Sequence, residues 1–281
     1  RYRLQREQPG TIPGLHRRAS KWYEEHGYID SAIRHAIAAD DLEQAVRLVD
    51  EHSFTANERG EVSTVRRWFE LLPDERVRSD PSLSVDCAWN LFLSGQIGAV
   101  EERLNDAEAL LARQATPFNS EQVAELFGKI NTLRAILYGI QGRPMPGIEI
   151  AQQVLNLLPE DRRSERGILL LTLAVLYRDV GDIAQASQSY ADAVTLLLAA
   201  ENTMAAIMAV EQLVRLLVAQ GKLKQAVEVC QEMLDASAEF SAPEQLRALS
   251  SDMARANMSY VLYERNELAD AEVYVRQGIK Q

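Results

Sequence analysis

The chain has 281 residues, and its 30 Lys and Arg against 41 Asp and Glu give a formal charge of -11, the wrong sign for a surface that must neutralise a phosphate backbone, so direct nucleic-acid binding is not expected. Its 47% hydrophobic and 25% charged residues suit a folded protein rather than a disordered one, and its length exceeds the usual single-domain mode of roughly 100 to 150 residues, which points to several domains or to repeats. The longest apolar runs, such as Ile168 to Leu176, stop short of the roughly 20 residues that cross a bilayer, and no cleavable signal pattern opens the chain, so neither a membrane segment nor export is expected and a cytoplasmic location follows.

Leu, Ala, Val, Glu, Gln and Arg dominate while Gly and Pro number only 14 and 9. All of these but Val lose little on entering a helix, and with Gly and Pro scarce they predict an all-α fold. Arg1 to Glu7 is a basic helical stretch broken by Gln8-Pro9-Gly10, so residues 1–12 read as the remnant of a preceding module. The start at Arg1 rather than Met, and the end at Gln281 directly after an amphipathic helix, predict an excised part of a longer protein.

From Pro13 onward one spacing recurs: a Gly or polar turn residue, an apolar residue two later, and a small or apolar residue five later. It appears as Gly27-Ile29-Ala32, Asp40-Leu42-Ala45, Gly95-Ile97-Val100, Gly181-Ile183-Ala186, Gly221-Leu223-Ala226 and Asn266-Leu268-Ala271. A turn residue in the left-handed region ends one helix, and the small residue lets the next pack back against it, so each copy predicts a helical hairpin. Residues 13–80 read as short pairs, Leu15 to Ala39 and Leu42 to Asp50, with single helices of about ten residues. Residues 81–281 read as tetratricopeptide-like repeats stacked into a right-handed α-α superhelix.

Within the repeats, Leu170, Leu173, Ala174 and Tyr177, and then Val210, Leu213, Val214 and Leu217, follow the i, i+3, i+4, i+7 spacing of buried stripes. Ala186, Tyr190, Ala193 and Leu197, and then Ala226, Cys230, Met233 and Leu234, give the second helices their own inward faces. Pro73 to Pro81, Thr116 to Asn119, Leu158 to Ser164 and Ser237 to Pro243 collect the loop residues between pairs, and Pro243 with Glu244 suits a first turn. Gly142 is a degenerate copy: Pro144 and Pro146 are expected to prevent a normal second-helix start and to leave a kink or pocket between 115 and 150.

The stretch from Leu15 to Gly27 (LHRRASKWYEEHG), the stretch from Ala32 to Ala45 (AIRHAIAADDLEQA) and Trp68 to Pro73 (WFELLP) resemble recurrent segments of the large ATP-dependent, MalT-like regulators of the LuxR type. The similarity covers roughly residues 15 to 111 in motif and the remainder in repeat style. It implies that 1–12 belonged to a winged-helix-like module and that the array senses an inducer and contacts partners. An ATP-binding switch and a helix-turn-helix domain would flank it. No Gly-x4-Gly-Lys-Ser/Thr loop occurs here, since Gly128-Lys129-Ile130 and Gly221-Lys222-Leu223 both depart from it, so no cofactor is expected in this part.

Chemistry-bearing constellations are few. His16, His26, His35 and His52 lack metal-ligand spacing, and His26 and His35 are expected at helix ends or facing solvent. Adjacent carboxylates such as Glu24-Glu25, Asp40-Asp41 and Glu101-Glu102 have no nucleophile near them in sequence, and no Gly-x-Ser-x-Gly elbow is found, so neither a catalytic nor a metal site is assigned. Cys87 and Cys230 read as small core residues. What remains is the concave surface, lined by the first helix of each pair: Arg178, Asp179, Glu211, Arg215, Tyr260, Tyr263 and Glu264 are the candidate contacts. Glu211 and Arg215 either meet a ligand or pair with each other at i, i+4, and the two tyrosines either stack on a sugar or organic inducer or fill space between repeats. The expected function is effector sensing and protein interaction, with a small-molecule inducer or partner protein bound along the superhelix and self-association as a mode of regulation. A tetratricopeptide scaffold that holds a peptide and has no connection with transcription is the alternative.

Overall fold

The structure is a computed structural model that describes residues 11–113 and 120–279. The segment 1–10 and the joint Thr116 to Asn119 therefore lie outside the described residues. Fifteen α-helices and no strand are present among those residues, and none of the helices is long and apolar enough to cross a membrane. Contacts gather into two compact units that meet in sequence at Phe127 and Gly128.

The first unit opens with α1 (Ile12–Glu25) and α2 (Ile29–Ala38), turned at Gly27, whose φ of 77° only glycine adopts without strain. Next come α3 (Leu42–Glu58) and α4 (Val62–Leu71). α3 runs eight residues past the Asp50 limit read from the sequence, because Ser53, Ala56 and Asn57 continue its buried face. Gly60, at φ 79°, ends it, and Gly60-Val62-Val65 proves to be another copy of the turn spacing. A short α5 (Asp74–Arg78) occupies the stretch read as a loop. α6 (Pro81–Leu93), a 3-10 turn at Ile97–Ala99, and α7 (Val100–Ala112) follow.

Ile33, Leu48, Val49, Val65, Trp68 and Leu83 form the core of this unit, and it carries a polar seam. Ser53 Oγ donates to Asp86 Oδ2 at 2.6 Å, and Asn90 Nδ2 donates to Asn57 Oδ1 at 3.0 Å and to the Val62 carbonyl at 2.9 Å. Such groups settle inside only when paired, and pairing at fixed geometry sets the α3/α6 register.

The second unit holds most of α8 (Ser120–Ile140), then α9 (Pro144–Leu157), α10 (Arg163–Asp179), α11 (Ile183–Ala199), α12 (Thr203–Ala219), α13 (Leu223–Glu239), α14 (Glu244–Glu264) and α15 (Leu268–Ile279). Hairpin turns fall at Gly142, Gly181, Gly221 and Asn266, all with positive φ. The expected kink at the prolines is absent. Pro144 starts α9 and Pro146 sits within its first turn, where a backbone N–H has no intrahelical acceptor and its loss costs nothing. Gly142 thus makes a regular turn, its N–H reaching the Gly139 carbonyl at 2.9 Å.

The inward faces of α11, α12 and α13 are the expected ones: Ala186, Tyr190, Ala193 and Leu197, then Val210, Leu213, Val214 and Leu217, then Ala226, Cys230 and Met233 are all buried, while Leu234 is only partly so. On α10 the face is rotated, with Leu169, Leu173 and Leu176 fully inside and Leu170 and Tyr177 half-buried. Close approach explains the glycine on that helix. A Cβ on Gly167 would stand 2.7 Å from Leu197 Cγ, so α10 and α11 pack nearer than alanine allows.

Candidate functional site

First helices of successive pairs lie side by side in the second unit: α10 contacts α12, and α12 contacts α14. Side chains that point away from the core on these helices therefore share one face. On α12, Glu211 and Arg215 follow the buried Val210 and Val214 by one residue each, which carries them out of the core. On α14, Met253, Ala256, Asn257 and Tyr260 form an i, i+3, i+4, i+7 set just off the buried line Leu246, Ser250, Ala254, Met258 and Val261.

Between α12 and α14 these residues enclose a groove of about 380 Å3 lined by Glu211, Arg215, Met253, Ala256, Asn257 and Tyr260. Arg215 Nη2 donates to Glu211 Oε1 at 2.8 Å, so the helix-surface pair read from the sequence does form, at the rim of a groove. Its guanidinium is two-thirds exposed and the Glu211 carboxylate about one-quarter exposed (66% and 28%), so water screens the pair and it adds little to stability. Neither the Asn257 amide nor the Tyr260 hydroxyl makes a side-chain hydrogen bond among the described residues. Both remain available to a ligand.

Arg178 and Asp179 stand apart from that groove. Arg178 Nη1 donates to Gln212 Oε1 at 2.9 Å, tying α10 to α12, and its Nη2 pairs with Asp179 Oδ1 at 3.1 Å. Below them the Tyr190 hydroxyl is fully buried without a hydrogen-bond partner. Burial pushes its ionisation above the usual phenol range; the charge of Arg178 offsets part of that rise and the charge of Asp179 adds to it. Tyr263 and Glu264 are exposed and do not line the groove. Sequence reasoning did not count Met253, Ala256, Asn257 or Gln212 among the candidate contacts, although counting back one and two turns from Tyr260 reaches the first three.

Elsewhere, His16 Nδ1 and His35 Nδ1 approach to 2.7 Å and His35 stacks on Tyr23. His35 lies in the last turn of α2, as expected, but it is half-buried against α1 rather than facing solvent, because the α1/α2 crossing brings the two rings together. His26 does close α1, its Nδ1 lying 2.7 Å from the Trp22 carbonyl. Among the described residues no group of three or more His, Cys, Asp or Glu side chains could hold a metal ion. Burial raises the Cys87 thiol to about 11 and the Cys230 thiol to about 12, well away from the range of a reactive thiolate.

The pattern of the MalT-like TPR region family matches residues 128–281, more than half of the chain. Over its full length the chain is 24% identical to the HTH-type transcriptional regulator MalT of Serratia proteamaculans, and it spans 30% of that relative's length. Over 48% of the chain it is 33% identical to the serine/threonine-protein kinase PknK of Mycobacterium tuberculosis, of which the match covers 12%. Among solved structures it is similar to BtubC (BKLC) from P. vanneervenii, with a TM-score of 0.54 and 16% identity over 89% of this chain and 90% of that one. That likeness concerns the fold of stacked helical hairpins.

Proposed function

The chain belongs to the MalT-like TPR region family, and from that premise we propose that it is the effector-sensing and protein-interaction region of a LuxR-type, ATP-dependent transcriptional regulator, with the α12/α14 groove as its ligand site. Catalysis has no part in this reading: the array binds, and binding alters how it meets a partner protein or another copy of itself. The observation that carries it is the convergence of Glu211, Arg215 and Tyr260 on one groove with an apolar floor. A concave site with a few converging polar groups is what a small-molecule pocket requires. Arg178, Asp179, Tyr263 and Glu264 lie outside the groove and are proposed as contacts for a partner protein.

A second reading draws on the match to a protein kinase over half the chain. That relative is named for kinase activity rather than transcription, which supports a portable interaction module that holds a peptide or partner protein independently of transcription.

A thermal-shift screen across sugars, organic acids and peptides tests the site. A ligand at about 100 times its dissociation constant stabilises the folded state by about 2.7 kcal/mol. Tyr260→Ala and Arg215→Ala are expected to abolish most of that gain while leaving the unliganded melting temperature nearly unchanged. A ligand that stabilises wild type and both variants equally would place the site elsewhere.

A further inference from the structure

The α12/α14 groove differs from its neighbour in how it is tied. Arg178 Nη1 bridges α10 to Gln212 on α12, but among the described residues no side-chain hydrogen bond or ion pair joins α12 to α14. The two helices meet through apolar contacts alone, with Val210, Leu213, Val214, Ala254, Met258 and Val261 in one core. Their polar groups at the rim are left with unused valences. Arg215 gives one Nη2 hydrogen to Glu211 Oε1, and the second Nη2 hydrogen together with the Nε and Nη1 donors leaves a fork open. Glu211 Oε2 is likewise unused, as are the Asn257 amide and the Tyr260 hydroxyl across the groove.

These valences select among ligand classes. The groove offers one cation and one carboxylate held 2.8 Å apart. A ligand with a single charge seated on one member of the pair also meets the like charge of the other a few ångströms away, which offsets part of its attraction. A neutral polyol gains no such attraction. A ligand carrying both charges, aligned against the pair, sets each charge nearest its opposite, so the two attractions outweigh the two longer cross-repulsions. Met253 and Ala256 supply an apolar surface beside the Tyr260 ring, suited to a side chain next to those charges.

We propose that the groove takes a small zwitterion, an α-amino acid with an apolar or aromatic side chain, which ties α12 to α14. This deepens the ligand-site reading above and rests on it. The carboxylate occupies the open edge of Arg215 in the planar fork geometry that guanidinium favours. The ammonium meets Glu211 Oε2. The side chain lies on Met253 and Ala256, and Asn257 hydrogen-bonds the charged end from the α14 side. The ligand thereby supplies the polar link that Arg178 and Gln212 supply one repeat earlier, so occupancy stiffens this step of the array.

The test is calorimetric titration of the full chain with L-phenylalanine and L-leucine, alongside L-phenylalaninamide, which lacks the carboxylate, 3-phenylpropionate, which lacks the ammonium, and trehalose as a neutral polyol. An amino acid is expected to bind, and each single-charge analogue to bind about tenfold more weakly or worse, as is usual when one charged hydrogen-bond partner is removed. Glu211→Gln and Arg215→Gln are each expected to cost a similar factor, with circular dichroism unchanged because both side chains lie at the surface. Hydrogen exchange in α12 and α14 is expected to slow on binding. Equal affinity for L-phenylalanine and its two analogues overturns the zwitterion, as does absence of binding by either amino acid. Trehalose binding that disappears in Tyr260→Ala overturns the zwitterion but keeps the groove. Amino-acid binding indifferent to both Arg215→Gln and Tyr260→Ala overturns the zwitterion and the groove together.

Discussion

Gly167→Ala isolates how closely α10 and α11 pack. In an open helix interior, replacing glycine by alanine stabilises by about 1 kcal/mol, because glycine loses more backbone freedom on folding. At Gly167 the new methyl would stand 2.7 Å from Leu197 Cγ, 2.8 Å from its Cδ2 and 3.4 Å from its backbone nitrogen. Leu197 is fully buried, and Cγ is the branch point of its side chain, so rotating a tip does not relieve the contact. Overpacking of this kind costs up to about 3 kcal/mol, which leaves a net loss of about 2 kcal/mol. Gly128→Ala is the control in the same unit: its Cβ would meet Leu158 and Val154 at 3.8 and 3.9 Å, ordinary contact distances, and the propensity gain of about 1 kcal/mol should survive. Since arrays of this kind open repeat by repeat, native-state hydrogen exchange in α10 and α11 is the direct assay, with the urea midpoint as a second reading. The reasoning is refuted if Gly167→Ala protects these amides as well as Gly128→Ala protects those of α8.

Three further outcomes follow from buried and paired groups. Tyr190→Phe removes a buried hydroxyl without a partner and is expected to raise stability by about 1 kcal/mol in thermal unfolding, whereas a loss of that size would mean the hydroxyl is bonded. Cys87 and Cys230, with thiols raised to about 11 and about 12, are expected to resist a disulfide reagent at neutral pH until the chain is unfolded, and rapid labelling of the native protein would contradict their burial. Hydrogen bonds from Arg103 and then Arg78 hold the Asp74 carboxyl below its ordinary value. Burial pushes Glu24 upward, but hydrogen bonds from Arg47 and Gln44 outweigh it, and this carboxyl also lies low. A carboxyl depressed in the folded state stabilises fully above its unfolded value and loses that contribution as pH falls through the folded one. Melting temperature should therefore drop on acidification below the ordinary carboxylate range, less steeply in Asp74→Asn, and parallel profiles for the two proteins would refute the assignment.

Hairpin architecture was legible in the sequence because it is local. A left-handed residue followed two and five positions later by apolar and small residues specifies a turn whatever surrounds it, and Gly27, Asp40, Gly95, Gly181, Gly221 and Asn266 all adopt positive φ. Gly60 and Glu201 do as well. Glu201 escaped notice because a Glu at that position does not look like a turn residue, yet Glu201-Thr203-Ala206 keeps the same spacing. The prolines of α9 were misjudged for a related reason: the penalty for proline depends on whether its nitrogen falls in the first turn, and the sequence leaves the helix start uncertain by a residue or two.

The groove was only half legible. Which residues turn away from the core on one helix follows from the 3.6-residue period, and this placed Glu211, Arg215 and Tyr260 outward without knowledge of the fold. Which outward residues of different helices meet depends on crossing angle, helix separation and the offset between repeats. These are set by side-chain volumes such as that of Leu197 against Gly167. Only the tertiary structure decided that Tyr260 lines the same groove as Arg215 while Tyr263, one turn further on, does not, and that Arg178 spends its guanidinium on Gln212 and Asp179. Local backbone chemistry wrote the hairpins into the chain, whereas the packing of one hairpin on the next chose which surface residues became neighbours.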